Sequence, residues 1–514
     1  MTNYHNGAID VKQKSKDYMM LIDGEWIESS GNERTEVINP FDKSIVGTIP
    51  RAKKDDIDQA AEAASKAFEK GTWSRITPGE RSTVLLKIAQ MLNEKKDEFS
   101  RVESVNSGKS IKQTSNYDLP YTIDNINFIA GASRILEGKA MGEYSNDGTS
   151  AVRREAIGTV GVITPWNYPL MMAIWRAFPA LAVGNSVVIK PASYTPLTTI
   201  MLGEIMVKAG IPRGVLNIVT GPGSEIGEAL ATNKNIDMIA FTGSEEVGKR
   251  LSKLSSDTLK KVSLELGGKA PFIVFDDADI DAAVQGAVVG GLVNNGQDCA
   301  NSTRYYLHES IKKEFINKLL DKLNRVKIGD PLDLDTDMGP LVSESHRQRV
   351  EDFIQRGQNE GGELIYGGKR PSKKELLKGN FLEPTVIITD NENSSIVKEE
   401  IFGPVFTVLG FTDYDDVVKR SNDVIYGLGS SVWTKDVRKA IRATRDLRFG
   451  TVWVNEHVTV PSEMPWAGYK KSGHGASLSQ YSLEEFTYVK HVYIDISGEI
   501  RKSWYSQVFS DAPK

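Results

Sequence analysis

One cysteine, Cys299, and six scattered histidines are the only Cys and His side chains in these 514 residues. A lone cysteine closes no intrachain disulfide, so nothing in the sequence calls for an oxidising compartment. No His/Cys spacing matches a metal centre. Excess positive charge is missing as well. Lys plus Arg total 63 against 68 Asp plus Glu, for a net charge of -5, and there is no basic stripe of the kind that tracks nucleic acid. Long apolar runs are absent too: the best, Gly158 to Ile189, is broken by Pro165, Asn167, Pro169, Arg176, Pro179 and Asn185, short of the roughly 20 residues of a membrane helix. Met1 to Lys16 is polar, without the apolar core of a secretory signal. The expectation is a large cytoplasmic protein, and at roughly 150 residues per domain the length suggests two to four domains.

What is present is organised as alternating strands and helices. Tyr18 to Ile27 reads as a strand pair around Asp23-Gly24, followed by amphipathic helices over Lys54 to Lys70 and Glu80 to Ser107. From Thr159 to Phe275, short apolar strands (Val160–Ile163, Ser186–Ile189, Val215–Val219, Met238–Phe241, Pro271–Val274) alternate with helices. Such strands are parallel and covered on both faces, as in a doubly wound nucleotide-binding sheet. A second alternating region runs from about Lys269 to Gly468, with helices over Ile280 to Asn294, Ser310 to Arg325 and Glu344 to Glu360. The tail, Glu485 to Ile496, reads as one strand with Phe486, Tyr488, Val492, Ile494 and Ile496 on one face. Pairing with another subunit is preferred for it over a plain sheet edge.

Cys299 closes the run Asn294-Asn295-Gly296-Gln297-Asp298-Cys299, a polar turn that an apolar packing site would not need. A thiol with a pKa near ~8.5 needs partners to act as a nucleophile. Glu265, between Leu264 and Leu266, is a carboxylate in apolar surroundings, where desolvation makes it a better base near neutrality; an ion pair with Lys269 is the structural alternative. Asn167, held between Pro165 and Pro169, offers an amide donor to a developing oxyanion, or serves only as a turn residue. Phe241-Thr242-Gly243-Ser244 runs from a strand into a helix N-terminus suited to a pyrophosphate. Lys190 ends another strand beside the presumed crevice. Gly221-Pro222-Gly223 through Gly227 is one residue longer than the dinucleotide fingerprint and reads equally as a glycine turn.

Together with Lys398-Glu399-Glu400-Ile401-Phe402-Gly403-Pro404, these segments resemble the aldehyde dehydrogenase superfamily, in family order and over nearly the whole chain. The resemblance implies a doubly wound cofactor domain (18–137 and 157–267), an α/β catalytic domain (268–465) and a small β oligomerisation element (138–156 and 466–514). It implies Cys299 as nucleophile, Glu265 as general base and Asn167 as oxyanion donor. For NAD, with NADP possible in principle, it implies Lys190 at the adenosine ribose, Trp166 and Ser244 at the pyrophosphate, and Glu400 and Phe402 at the nicotinamide end. Ile163, Thr164, Pro165, Ser193, Gly223, Phe241, Thr242, Gly243, Val247 and Leu266 complete the cofactor cleft. Ser193 stands where NAD-specific members carry an acid, and the region around Ser477 lacks the glutamate of many relatives. The run Ser462 to Gly473 looks most like the aminobutyraldehyde and betaine aldehyde branch. There, Tyr168, Trp175 and Trp466 would enclose a cation, with Val293 in the fourth position and Asp298 nearby. General aldehyde oxidation, a non-catalytic structural protein and a cofactor-free cysteine hydrolase are the alternatives. The partners expected are a small aldehyde and a second copy, in a homodimer or homotetramer through the C-terminal strand, with no nucleic acid and no membrane.

Overall fold

The computed structural model describes residues 16–500 and 502–510. Its centre is an eight-stranded sheet. Five strands are parallel, in the spatial order Lys261–Glu265, Met238–Thr242, Thr159–Ile163, Ser186–Lys190, Leu216–Ile218. Val160, Val162, Val187, Val188 and Ile189 are fully buried, as β-branched residues sandwiched between two helical layers should be. Chain order reverses beside Thr159–Ile163, so the carboxyl ends of these strands open a crevice at the switch point. Thr164–Asn167, Lys190, Thr242 and Glu265 all lie along that edge.

Both ends of this sheet are closed by antiparallel strands. On one side Met20–Ile22 and Glu25–Ile27 form the expected hairpin, with Asp23 and Gly24 at φ 49° and 75°. On the other, Gly473–His474, from within the segment expected to serve oligomerisation, pairs with Leu264 and Glu265 and covers the outer edge of their strand. The single helical tract read over Glu80 to Ser107 is two helices, Pro78–Glu94 and Lys96–Ser107, broken at Lys95.

A seven-stranded sheet occupies the second half, in the order Glu363–Tyr366, Thr385–Ile388, Val405–Phe411, Ser302–His308, Ala270–Val274, Gly429–Trp433, Thr451–Val454. Only its first strand is antiparallel. Four residues, Leu266 to Lys269, join Glu265 at the carboxyl end of one sheet to Ala270 at the amino end of a strand in the other. The carboxyl ends of the first sheet's strands therefore face the amino ends of the second's, and the turn preceding Ser302 and the loop preceding Val405 lie at the same junction as Glu265.

The tail strand, Thr487–Asp495, pairs along all nine residues with Gly148–Ala156 of its own chain. It forms one edge of a three-stranded sheet completed by Gly142–Ser145. Among the described residues its outer edge carries no partner strand, and Tyr488, Val489, Tyr493 and Ile494 are exposed. Among the described residues, no helix is long and apolar enough to cross a membrane.

Candidate active site

Three successive residues with left-handed backbone, Asn294, Asn295 and Gly296 (φ 51°, 58° and 75°), turn the chain into Cys299. Asparagine and glycine are the residues that adopt this conformation at least cost. A Cβ on Gly296 would come within 2.4 Å of the Gly403 carbonyl carbon, so the turn packs backbone to backbone on the loop bearing Glu400 and Phe402. Asn295 reaches Gly108 O and Pro340 O with its amide, and Gln297 accepts from Val342 N–H. The polar residues that mark the turn in the sequence are its fastenings.

Cys299 opens onto a cavity of about 1420 Å³ that runs between the two sheets. Its lining includes Pro165, Trp166, Gly243, Ser244, Glu400 and Phe402, the aromatic and apolar side chains of Tyr121, Trp175, Val293 and Trp466, and Asn167, Glu265, Asp298 and Glu456. Burial and then the nearby carboxylates of Asp298, Glu265 and Glu400 push the thiol pKa well up, so the resting group is SH. Its own N–H faces the sulfur and favours the anion. Asn167 Nδ2 donates to Gln297 O at 3.1 Å, which holds the amide beside the thiol turn.

Glu265 does not pair with Lys269. Its carboxylate lies 3.5 Å from Arg176 Nη2, and the Lys269 amine is buried without a hydrogen-bond partner; burial, then Arg304, pushes its pKa down to about 7. Arg176 is wholly buried in the helix Pro169–Ala182 and also donates to Thr242 Oγ1, Ser263 Oγ and Phe241 O. It thus ties two strands of the first sheet to the carboxylate. Burial raises the Glu265 pKa, and Arg176 and then the neighbouring Ser477 hydroxyl oppose the rise. Arg176 was legible only as an interruption of an apolar tract. The signal was there: it is the only charged side chain in a 14-residue helix otherwise apolar and entirely buried.

Along the cofactor side, Ser244 caps the helix Glu245–Ser255, accepting from Val247 N–H at 3.4 Å, with Val247 itself half-exposed. Lys190 is buried and its pKa pushed down by burial to about 8. A Cβ on Gly223 would sit 3.5 Å from its ammonium, which leaves room there for a polar ligand atom. Gly223–Gly227 is a π-helical turn that runs directly into the short helix Glu228–Thr232. The Ser193 hydroxyl donates to Gly221 O at 2.8 Å. Ile163, Thr164, Phe241 and Leu266 are buried beneath this surface. Glu400 accepts from Gly268 N–H at 2.8 Å, and burial raises its pKa to about 7. Phe402, at φ 62°, stands edge-on to Trp166, centroids 5.2 Å apart. Helix N-terminus, buried lysine and burial-protected carboxylate form a donor and acceptor set suited to a dinucleotide.

On the far side, Trp175 donates to Asn125 Oδ1 at 2.7 Å and stands edge-on to Tyr121 at 6.4 Å. Tyr121 was not foreseen; it supplies an aromatic wall where Val293 does not. Tyr168 donates to Asp298 Oδ2 at 2.6 Å, and the buried Lys109 ammonium sits 4.0 Å from its ring centroid. One face of Tyr168 is thus already engaged by a cation of the protein, itself held at 2.8 Å by Asp118. Trp466 packs on Trp453 at 6.2 Å. His457, also unforeseen, contacts Ala300 O rather than the thiol.

Comparison with known proteins gives a consistent answer. Residues 26–492 match the profile of the aldehyde dehydrogenase family. Betaine aldehyde dehydrogenase of Bacillus subtilis (strain 168) is 42% identical over 474 residues, covering 92% of this chain and 96% of that protein. Peroxisomal aminoaldehyde dehydrogenase 2 of Pisum sativum is 39% identical over 486 residues, covering 93% and 95%. A crystal structure of betaine aldehyde dehydrogenase from Staphylococcus aureus in complex with NAD+ superposes with a TM-score of 0.92 at 38% identity, covering 95% of this chain and 97% of that one.

Proposed function

The chain belongs to the aldehyde dehydrogenase family, and from that premise we propose how its residues carry out NAD(P)-dependent aldehyde oxidation. The observation that carries the reading is the meeting of the sole thiol, Cys299, with Asn167 and Glu265 on one cavity wall. Sγ gives its proton to water in the cavity and adds to the aldehyde carbon. The new oxyanion is stabilised by the Asn167 amide and the Cys299 N–H. When bound, the nicotinamide takes the hydride from that carbon, leaving an acyl thioester on Cys299. Glu265 then removes a proton from water, whose oxygen attacks the thioester; the carboxylic acid departs and Sγ is freed.

We assign Lys190, Gly223 and the Ser244 helix end to the adenosine and pyrophosphate portions of NAD, and Glu400 and Phe402 to the nicotinamide ribose and ring. We retain the division into cofactor, catalytic and oligomerisation units, in a cytoplasmic homo-oligomer built through Thr487–Asp495. For the substrate we propose an amino or quaternary-ammonium aldehyde, held by Trp175, Trp466 and Tyr121. A neutral aldehyde is the second reading, favoured by the Lys109 ammonium that already occupies the ring of Tyr168.

Cys299→Ala tests the scheme. It is expected to abolish aldehyde-dependent NADH formation while NAD+ still binds, because Lys190 and the Ser244 helix end lie apart from the thiol. Turnover near the wild-type rate would overturn covalent catalysis.

A further inference from the structure

The turn that carries Cys299 is fastened from within by three bonds. Ala300 N–H donates to Asp298 Oδ1 at 2.6 Å, Asn301 N–H to Asp298 O at 3.1 Å, and the Asn301 amide to Gly296 O at 2.8 Å. A further bond comes from 157 residues away: His457 Nε2 lies 2.9 Å from Ala300 O. Its Nδ1 lies 3.0 Å from Ser431 Oγ. A carbonyl oxygen only accepts, so Nε2 carries the proton and Nδ1 must accept from the serine hydroxyl. The ring is neutral, because burial pushes its pKa down to about 4.

The ring also has no freedom to swing. Trp453 packs on it at 4.8 Å and Phe272 at 5.7 Å between centroids. At Gly290 a Cβ would come within 2.7 Å of its Cδ2. Trp453 donates in turn to Thr459 O at 2.7 Å. The imidazole thus joins strand Gly429–Trp433, which bears Ser431, to the Ala300–Asn301 peptide, one residue beyond the thiol.

We propose that His457, oriented by Ser431, is a positioning residue for the nucleophile: it holds the Ala300 carbonyl, and through it the turn from which Cys299 Sγ enters the cavity. This deepens the assignment of Cys299 as nucleophile and rests on it. A rigid scaffold residue of this kind acts on rate through geometry, and small misplacements of a reacting atom lower rate far more than they weaken binding.

Because the chain has one cysteine, alkylation by iodoacetamide reports Cys299 alone. His457→Phe keeps the bulk of the ring and removes the N–H. It is expected to lower kcat and the alkylation rate together, by about tenfold or more, with KM for NAD+ within about twofold of wild type. His457→Gln restores an amide N–H near Nε2 and is expected to recover most of both rates. Ser431→Ala, a smaller change, should shift both rates in the same direction as His457→Phe by roughly two- to fivefold.

Wild-type kcat and alkylation in folded, NAD+-binding His457→Phe would overturn the proposal. So would equal losses of kcat in the Phe and Gln variants with alkylation unchanged, since that pattern belongs to structural support alone. If His457→Phe does not fold, Ser431→Ala decides, and unchanged rates there overturn the proposal. Failure of the underlying reading looks different: wild-type protein fully alkylated yet still oxidising aldehyde would remove Cys299 from the chemistry, whatever the His457 variants do.

Discussion

Glu265, the proposed base, is poised between burial, which favours its neutral form, and Arg176, which favours the charged one, with burial the larger. Only the ionised carboxylate takes a proton from water, so thioester hydrolysis should decline with falling pH at a higher pH than an ordinary carboxylate would dictate. Glu265→Gln should remove that limb and separate the two half-reactions: rapid release of one NADH per site followed by a slow steady state, read by stopped-flow absorbance. Uniform loss without a burst would move Glu265 to a step before hydride transfer. Trp466 bears on the substrate. If it faces a cation it contributes about 0.5–2 kcal/mol, so Trp466→Ala should reduce kcat/KM for an ammonium aldehyde by up to roughly tenfold or more, and less for a neutral aldehyde of equal size. Equal losses would leave Trp466 as a tunnel wall and favour the neutral substrate.

Among the elements, the left-handed turn at Asn294 to Gly296 is the least tolerant of change. Gly296→Ala combines a positive φ with contact against backbone that cannot step aside. A cost of about 1–3 kcal/mol is expected for such strain, visible as a lowered apparent melting temperature together with a lower kcat; wild-type values for both would show that the turn relaxes freely. This turn was legible in the sequence, because its side chains carry conformational meaning locally. So were the strand ends at Lys190, Thr242 and Glu265, since short apolar runs with polar termini announce parallel strands. What joins elements distant in sequence was not legible. Arg176 meets Glu265 from 89 positions away, Lys109 meets the Tyr168 ring, and His457 meets Ala300 only after the sheets have formed. No periodicity records such contacts, and an ion pair between near neighbours Glu265 and Lys269 was the natural local guess that the fold replaced.

For the molecule as a whole, the edge strand Thr487–Asp495 presents exposed Tyr488, Val489 and Ile494 beside unpaired backbone. Charges on such an edge oppose further pairing. Tyr488→Lys combined with Ile494→Lys should therefore reduce the assembled mass measured by light scattering, with NAD+ affinity retained in the smaller species. An unchanged mass would place the contact between copies elsewhere. The same distinction between edge and interior explains why architecture was readable at this scale: parallel strands buried on both faces are written as apolar runs, whereas the partner of an exposed edge is written nowhere in the strand itself.

The strap from Leu266 to Lys269 sets a distance that side-chain drift cannot alter. A Cβ on Gly267 would strike Glu400 Oε2 at 2.4 Å, and one on Gly268 would strike Cys299 O at 2.1 Å. The Glu400 carboxylate and Cys299 are thus spaced by the bare thickness of a polypeptide backbone. On the assignment proposed above, replacements at Tyr121 or Trp466 can reshape the cavity walls, and so admit new aldehydes, without recalibrating the gap between the thiol and that carboxylate.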